Sequence, residues 1–145
     1  MQAHRRLDYS SLQKALSSLD RGWSRSMTQP DDEELRDACI QRFEFSFELA
    51  WKMIKRRLER DLANTTQLEG ISYRELIRLA HVASLVDGVQ AWWVFRDMRN
   101  LSSHTYDTQV AAQVYAVIAD FLSACQHVLI QLAHKDQADG WQPHA

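Results

Sequence analysis

From Asp31 to Leu62 the chain runs without a glycine or a proline, and no other stretch limits the possible folds so much. Leu35, Cys39, Phe43, Phe47, Ala50, Ile54, Leu58 and Leu62 recur at spacings of three and four, the pattern of one apolar helix face. A helix of about thirty residues is ~45 Å long at 1.5 Å per residue. In a chain of 145 residues, such a rod must be the spine on which everything else packs.

The remaining sequence supplies rods to cover it. Leu12, Leu16, Leu19 and Trp23 mark a first helix over about residues 8–26. Pro30 and the acids Asp31 to Glu34 suit the start of the spine, through a fixed φ and attraction to the positive end of the helix dipole. Ser72-x-x-Glu75 is a capping box that opens a third helix over 72–86. Asp87 is placed to cap a fourth over 88–101, rich in aromatics. Asp107 is placed to cap a fifth, whose stripe is Val110, Val114, Val117, Phe121, Cys125, Val128 or Leu129, and Leu132. No strand alternation or internal repeat is present. With four glycines and two prolines, a turn-rich sheet fold is excluded. The expected architecture is all-α: an antiparallel up-and-down bundle of four main helices plus a short one. It forms a single domain over 1–134, followed by a polar, flexible tail over 135–145.

Composition narrows the function. A net charge of −2 excludes wholesale electrostatic attachment to nucleic acid or anionic lipid, so any such contact must be local. Cys39 and Cys125 fall on apolar positions and read as small buried hydrophobes. The start of the chain lacks the apolar core of a signal peptide, and no stretch is expected to approach a membrane span. A cytoplasmic protein is expected. His127 and His134, seven apart, lack both the i, i+4 spacing and a third ligand, so neither metal nor cofactor is expected.

Between the fourth and fifth helices lies RNLSSHTYD, Arg99 to Asp107, where a hairpin needs only a turn. On an unbroken helix Arg99 and His104 would differ by about 500°, or ~140° around the barrel, and would point apart. Asn100, Ser102 and Ser103 favour caps and turns, so the helix is expected to unwind there and let Arg99, His104 and Tyr106 share a surface. The trio suits a phosphodiester. Arginine offers a planar charged fork, histidine exchanges protons near neutrality, and an RNA 2′-hydroxyl supplies the nucleophile. The same residues also fit a purely structural role, as a helix C-terminal cation, a turn histidine and a tyrosine sealing the bundle end.

Two stretches in this order, RFEFSFELAWKMIKRRLE (Arg42 to Glu59) and RNLSSHTYD, resemble the nucleotidyltransferase substrate-binding family of the HEPN superfamily. The leading segment DGVQAWWVFRDM matches as well, and the similarity spans roughly residues 8–133. The resemblance implies a helical bundle that dimerises and works with a cognate minimal nucleotidyltransferase. In toxin–antitoxin members it implies a metal-independent ribonuclease with an Arg-x4-His-x-Tyr motif. Arg99 would then stabilise phosphate charge, His104 would act as acid or base, and Tyr106 would be adenylylated by the partner. It also implies a site shared across the dimer. The other implication is a catalytically silent substrate-binding subunit of the transferase. The transferase itself is excluded, because the chain has no Gly-Ser loop and no Asp-x-Asp pair.

Lys52, Arg56 and Arg60 follow i, i+4, i+8 and form a candidate RNA-binding face, or alternatively a solvated one with Glu48–Lys52 and Arg57–Asp61 pairs. Glu44 and Glu48 lie one turn apart and are expected to hold an arginine, Arg96 or Arg99. Glu48 and Asn100 thus read as supporting residues. Trp92 and Trp93 read as packing residues of the core or of a dimer interface.

Overall fold

The computed structural model describes residues 7–62 and 65–140. Residues 1–6, at the start of the expected domain, and 141–145, at the end of the expected tail, lie outside the described residues. Among the described residues six α-helices follow in order: α1 (Ser10–Met27), α2 (Glu33–Asp61), α3 (Tyr73–Val82), α4 (Val89–Leu101), α5 (Thr108–Ala116) and α6 (Ile118–Ala138). Short 3-10 segments cover Thr65–Leu68 and Ser102–His104. There is no strand among the described residues.

The spine is α2, which touches every other helix. Its start is fixed by Asp32, whose Oδ1 accepts the N–H of Leu35 at 3.1 Å, and Glu33 and Glu34 occupy the first turn. Phe43 and Phe47 from α2 meet Trp92 and Phe95 from α4 and Phe121 from α6 in one aromatic cluster. Phe121 stands edge-on to Phe43 at 5.0 Å and to Phe95 at 5.2 Å. All five rings are buried, and edge-to-face contacts of this kind add to the burial itself. Trp92 is therefore a core residue. Trp93 is half-buried, with the guanidinium of Arg74 4.5 Å from its ring. Cys39 and Cys125 are buried and unpaired, and burial pushes the Cys125 thiol up.

Three helix boundaries differ from the sequence reading. The third helix was expected to reach 86 and stops at Val82. There Ser84 adopts φ 64°, and its N–H donates to the carbonyl of His81, while that of Leu85 donates to Ala80. This is a Schellman closure made without glycine, and it is drawn in by the full burial of Leu85. The fourth helix is capped at Gly88, without a side-chain hydrogen bond, instead of by Asp87. The fifth is divided at Val117, where one N–H turns back to Val114, an i→i+3 bond that tightens the rod locally into α5 and α6.

That divided rod also corrects the membrane reading. Thr108–Ala138 is long and apolar enough to span a bilayer by length and composition, with a mean hydropathy of 1.5 over eighteen residues. Small residues such as Ala112, Ala116 and Ala119 raise the average on its exposed side. Its inward stripe, from Ala111 through Phe121 to Leu132, belongs to the bundle core.

The largest departure concerns Arg57. Expected on the polar side of α2, it is 1% exposed. Its Nε donates to Asp61 at 2.9 Å, its Nη1 lies 3.4 Å from the buried Asp136, and its Nη2 donates to Asp139. Tyr9 donates to the other oxygen of Asp136 at 3.2 Å. Burial acts to lower the Arg57 pKa, but the hydrogen bonds and charges of Asp61 and Asp139 outweigh it and hold it above the usual range. The network explains why α6 runs on to Ala138 where a flexible tail was expected from 135. Asp136 and Asp139 lock that segment to α2.

Removing the guanidinium takes away the charge that neutralises a buried carboxylate. Arg57→Ala is expected to cost about 3–5 kcal/mol in urea unfolding, and Arg57→Met less. A cost below about 1 kcal/mol for Arg57→Ala would show that the network holds nothing together.

Candidate functional site

The segment after α4 unwinds as its serines and asparagine predict. Ser102 Oγ donates to the carbonyl of Arg99 at 2.6 Å, which competes with continuation of the helix. Ser102–His104 then forms a 3-10 turn, and Asp107 restarts the helix by accepting the N–H groups of Gln109 and Val110. Ser102 is buried, so the turn is anchored to the core while His104 and Tyr106 are thrown outward. Tyr106 is 83% exposed.

The trio divides into two parts. His104 Nδ1 and Tyr106 OH are 3.1 Å apart, with the rings edge-on at 5.7 Å. Arg99 instead turns toward α2. Its Nε lies 3.6 Å from Glu48 and its Nη1 3.8 Å from Glu44, and Nη1 also reaches Ser102 Oγ at 3.5 Å. The Arg99–Glu48 contact is an ion pair too long for a hydrogen bond, and Arg99 Nε has no hydrogen-bond partner among the described residues. Glu44 and Glu48 thus hold Arg99, one of the two arginines expected. Among the described residues no hydrogen bond joins Arg99 to His104.

A cavity of about 300 Å³ opens beside Arg99, between α2, α3 and α4. Arg99, Asn100 and Glu48 line it, as does Arg96, the other arginine expected at the acidic pair, together with Trp51, Lys55 and Tyr73, which the sequence does not single out. The spacing Glu48, Trp51, Lys55 on one face of α2 was a usable signal, but the wall from α3 was invisible before folding. Trp51 Nε1 donates to Glu48 at 3.1 Å. Tyr73 donates to the carbonyl of Trp92 at 2.7 Å, and burial pushes its phenol well up, against the opposing charge of Arg96. Tyr73 is therefore a fixed, neutral wall.

The candidate RNA-binding residues remain outside the cavity. Lys52 and Arg56 are exposed and Arg60 half-buried, and none pairs with a carboxylate among the described residues. The expected Glu48–Lys52 pair is replaced by Glu48–Arg99, because α4 brings a better-placed cation. The Arg57–Asp61 pair forms, with Arg57 buried and Asp61 still open to solvent.

The bundle breaks one rod to present a histidine and a tyrosine, with a carboxylate-held arginine on the helix before the break. The chain belongs to the family described as nucleotidyltransferase substrate binding protein like, which it matches over residues 7–134. It is 37% identical over 131 residues to a Haemophilus influenzae protein named "Probable ribonuclease HepT", covering 90% of each chain. Among solved structures it resembles a Haemophilus influenzae protein described as revealing the fold of a substrate binding domain of a nucleotidyltransferase. The TM-score is 0.82 at 34% identity, over 87% of this chain and 99% of that one. A protein from Thermus thermophilus follows at TM-score 0.70 and 28% identity, over 83% and 98%.

The cap at Asp107 sets where His104 and Tyr106 stand. Asp107→Ala is expected to cost about 1 kcal/mol of stability and to speed amide exchange through Thr108–Ala111. Exchange unchanged in that turn would mean that the cap does not hold the break.

Proposed function

We propose that this chain is a metal-independent endoribonuclease of a toxin–antitoxin pair, acting with a minimal nucleotidyltransferase that silences it. The observation carrying this reading is the helix break that exposes His104 and Tyr106 in mutual hydrogen-bond contact, one turn beyond Arg99. The relative named as a ribonuclease and the family's description as a transferase's substrate-binding protein support the two halves of the proposal.

In the proposed reaction, a 2′-hydroxyl of RNA loses its proton to a histidine and attacks the adjacent phosphorus. The bond to the 5′-oxygen breaks, leaving a 2′,3′-cyclic phosphate and a 5′-hydroxyl that takes up a proton. One imidazole can perform only one of these transfers at a time. A homodimer sharing its site supplies two copies of His104, one as base and one as acid. Arg99 stabilises the charge that grows on the non-bridging oxygens. Silencing transfers AMP from ATP to Tyr106 Oη with release of pyrophosphate, placing a bulky anion against His104. Exposed Lys52 and Arg56, with Arg60, offer the strand a local cationic approach.

A second reading is favoured by one specific observation: in the single chain Arg99 is already engaged by two carboxylates and does not meet His104. That geometry suits a catalytically silent substrate-binding subunit. The decisive experiment is expression of wild type and His104→Ala, with growth followed and total RNA examined for new ends. Toxicity and cleavage are expected in wild type and a loss of at least about 100-fold in His104→Ala. Absence of both in wild type, with RNA left intact by the purified protein, would sink the nuclease reading and leave the silent subunit.

Two further variants test the assignment of roles. Tyr106→Phe should keep cleaving RNA, yet gain no AMP mass when co-expressed with the transferase. Glu48→Gln should change stability by less than about 1 kcal/mol, since the pair is partly exposed, while lowering cleavage severalfold. Full activity in Glu48→Gln would remove Glu48 from the site.

A further inference from the structure

We propose that the cavity between α2, α3 and α4 is a nucleobase pocket, in which one unpaired base of the bound strand is held beside Arg99. The identity of the strand as RNA rests on the ribonuclease reading, but the pocket itself rests on the cavity.

Four observations converge there. The volume, about 300 Å³, lies at the small end of ligand sites and suits one planar group. Its walls combine aromatic and aliphatic surface, from Trp51 and Tyr73 with Ile71 and Leu76, against which a base can lie without regard to its identity, and the Arg96 guanidinium rests 5.1 Å from the Tyr73 ring. Trp51 is half-buried and tethered through Nε1 to Glu48, so its ring is oriented before any ligand arrives. Three cations, Lys55, Arg96 and Arg99, stand at the same cavity against the single carboxylate of Glu48. Among the described residues, neither Lys55 nor Arg96 is committed to an ion pair.

This combination selects a nucleotide over a simple anion or an apolar ligand. Inorganic phosphate would leave the aromatic walls unused, and an apolar molecule would leave the cations unused. Asn100, one residue beyond Arg99, carries both a donor and an acceptor for a base edge. Arg96, Arg99 and Asn100 follow i, i+3, i+4 on α4, so the phosphate of the captured nucleotide is drawn to the arginine that the proposed cleavage uses. The pocket thus provides a register for the strand, which an exposed His104 and Tyr106 on an outward turn cannot supply.

The test uses full-length His104→Ala protein, so that no substrate is consumed. AMP, GMP, CMP and UMP are titrated against it, with ribose 5-phosphate and inorganic phosphate as controls, while tryptophan fluorescence is followed. Saturable quenching is expected with the nucleotides and absent with the controls, and it should disappear in Trp51→Phe. Lys55→Glu and Arg96→Glu, at half-buried and exposed positions that tolerate substitution, should each weaken binding about tenfold. Equal binding of ribose 5-phosphate would reduce the cavity to an anion site, and nucleotide binding unaffected by these substitutions would place it elsewhere. Either result overturns the pocket. Cleavage by wild type without nucleotide binding would reject the pocket and leave the nuclease standing. Binding without cleavage would do the reverse.

Discussion

The core and the candidate site of this protein are both positioned against one continuous helix. Over its 29 residues α2 presents three different surfaces to its neighbours. An apolar strip led by Phe43 and Phe47 locks α4 and α6 through the aromatic cluster. A flanking acidic pair, Glu44 and Glu48, receives Arg99. The last turns deliver Arg57 into the carboxylates of α6. Because a helix is stiff, the aromatic packing fixes the register of α4, and that register decides which cation meets the acidic pair. A shift of one residue along α4 would turn Arg99 by about 100° away from Glu48.

The two ends of the bundle solve different problems. At the Arg57 end, a guanidinium is buried almost completely, and three carboxylates and a tyrosine hydroxyl surround that end. Such a network is costly to break, and it holds the ends of α2 and α6 together. At the Arg99 end, the groups are only partly buried, the ion pairs are long, and the histidine and tyrosine stand in solvent. Loose pairing suits a site in which a phosphate is to compete for the arginine. In the proposed cycle the carboxylates hold Arg99 until the strand's own anion replaces them.

How much of this was legible depended on the range of the interaction. The unwinding at Ser102–His104 could be read from Asn100, Ser102 and Ser103, because hydroxyl-to-carbonyl competition acts within four residues. The cap at Asp107 was readable for the same reason. The end of α3 was not, since Ser84 takes a left-handed conformation that only the burial of Leu85 justifies. Arg57 was misplaced because its partners Asp136 and Asp139 lie some eighty residues away, and local spacing showed only Asp61.

The sequence by itself determined where the helical rods lie, their apolar faces and the break that carries His104 and Tyr106, since each follows from periodicity or from hydrogen bonds between near neighbours, but not the end of α3 or the division at Val117. Tertiary structure alone decided that Arg99 and not Arg96 meets Glu44 and Glu48, that Arg57 is interior, and that Trp51, Lys55 and Arg96 enclose a cavity with Arg99. Those outcomes depend on the rotation and register of one packed rod against another. That relation is set by interlocking side chains from distant parts of the chain, and no local pattern encodes it.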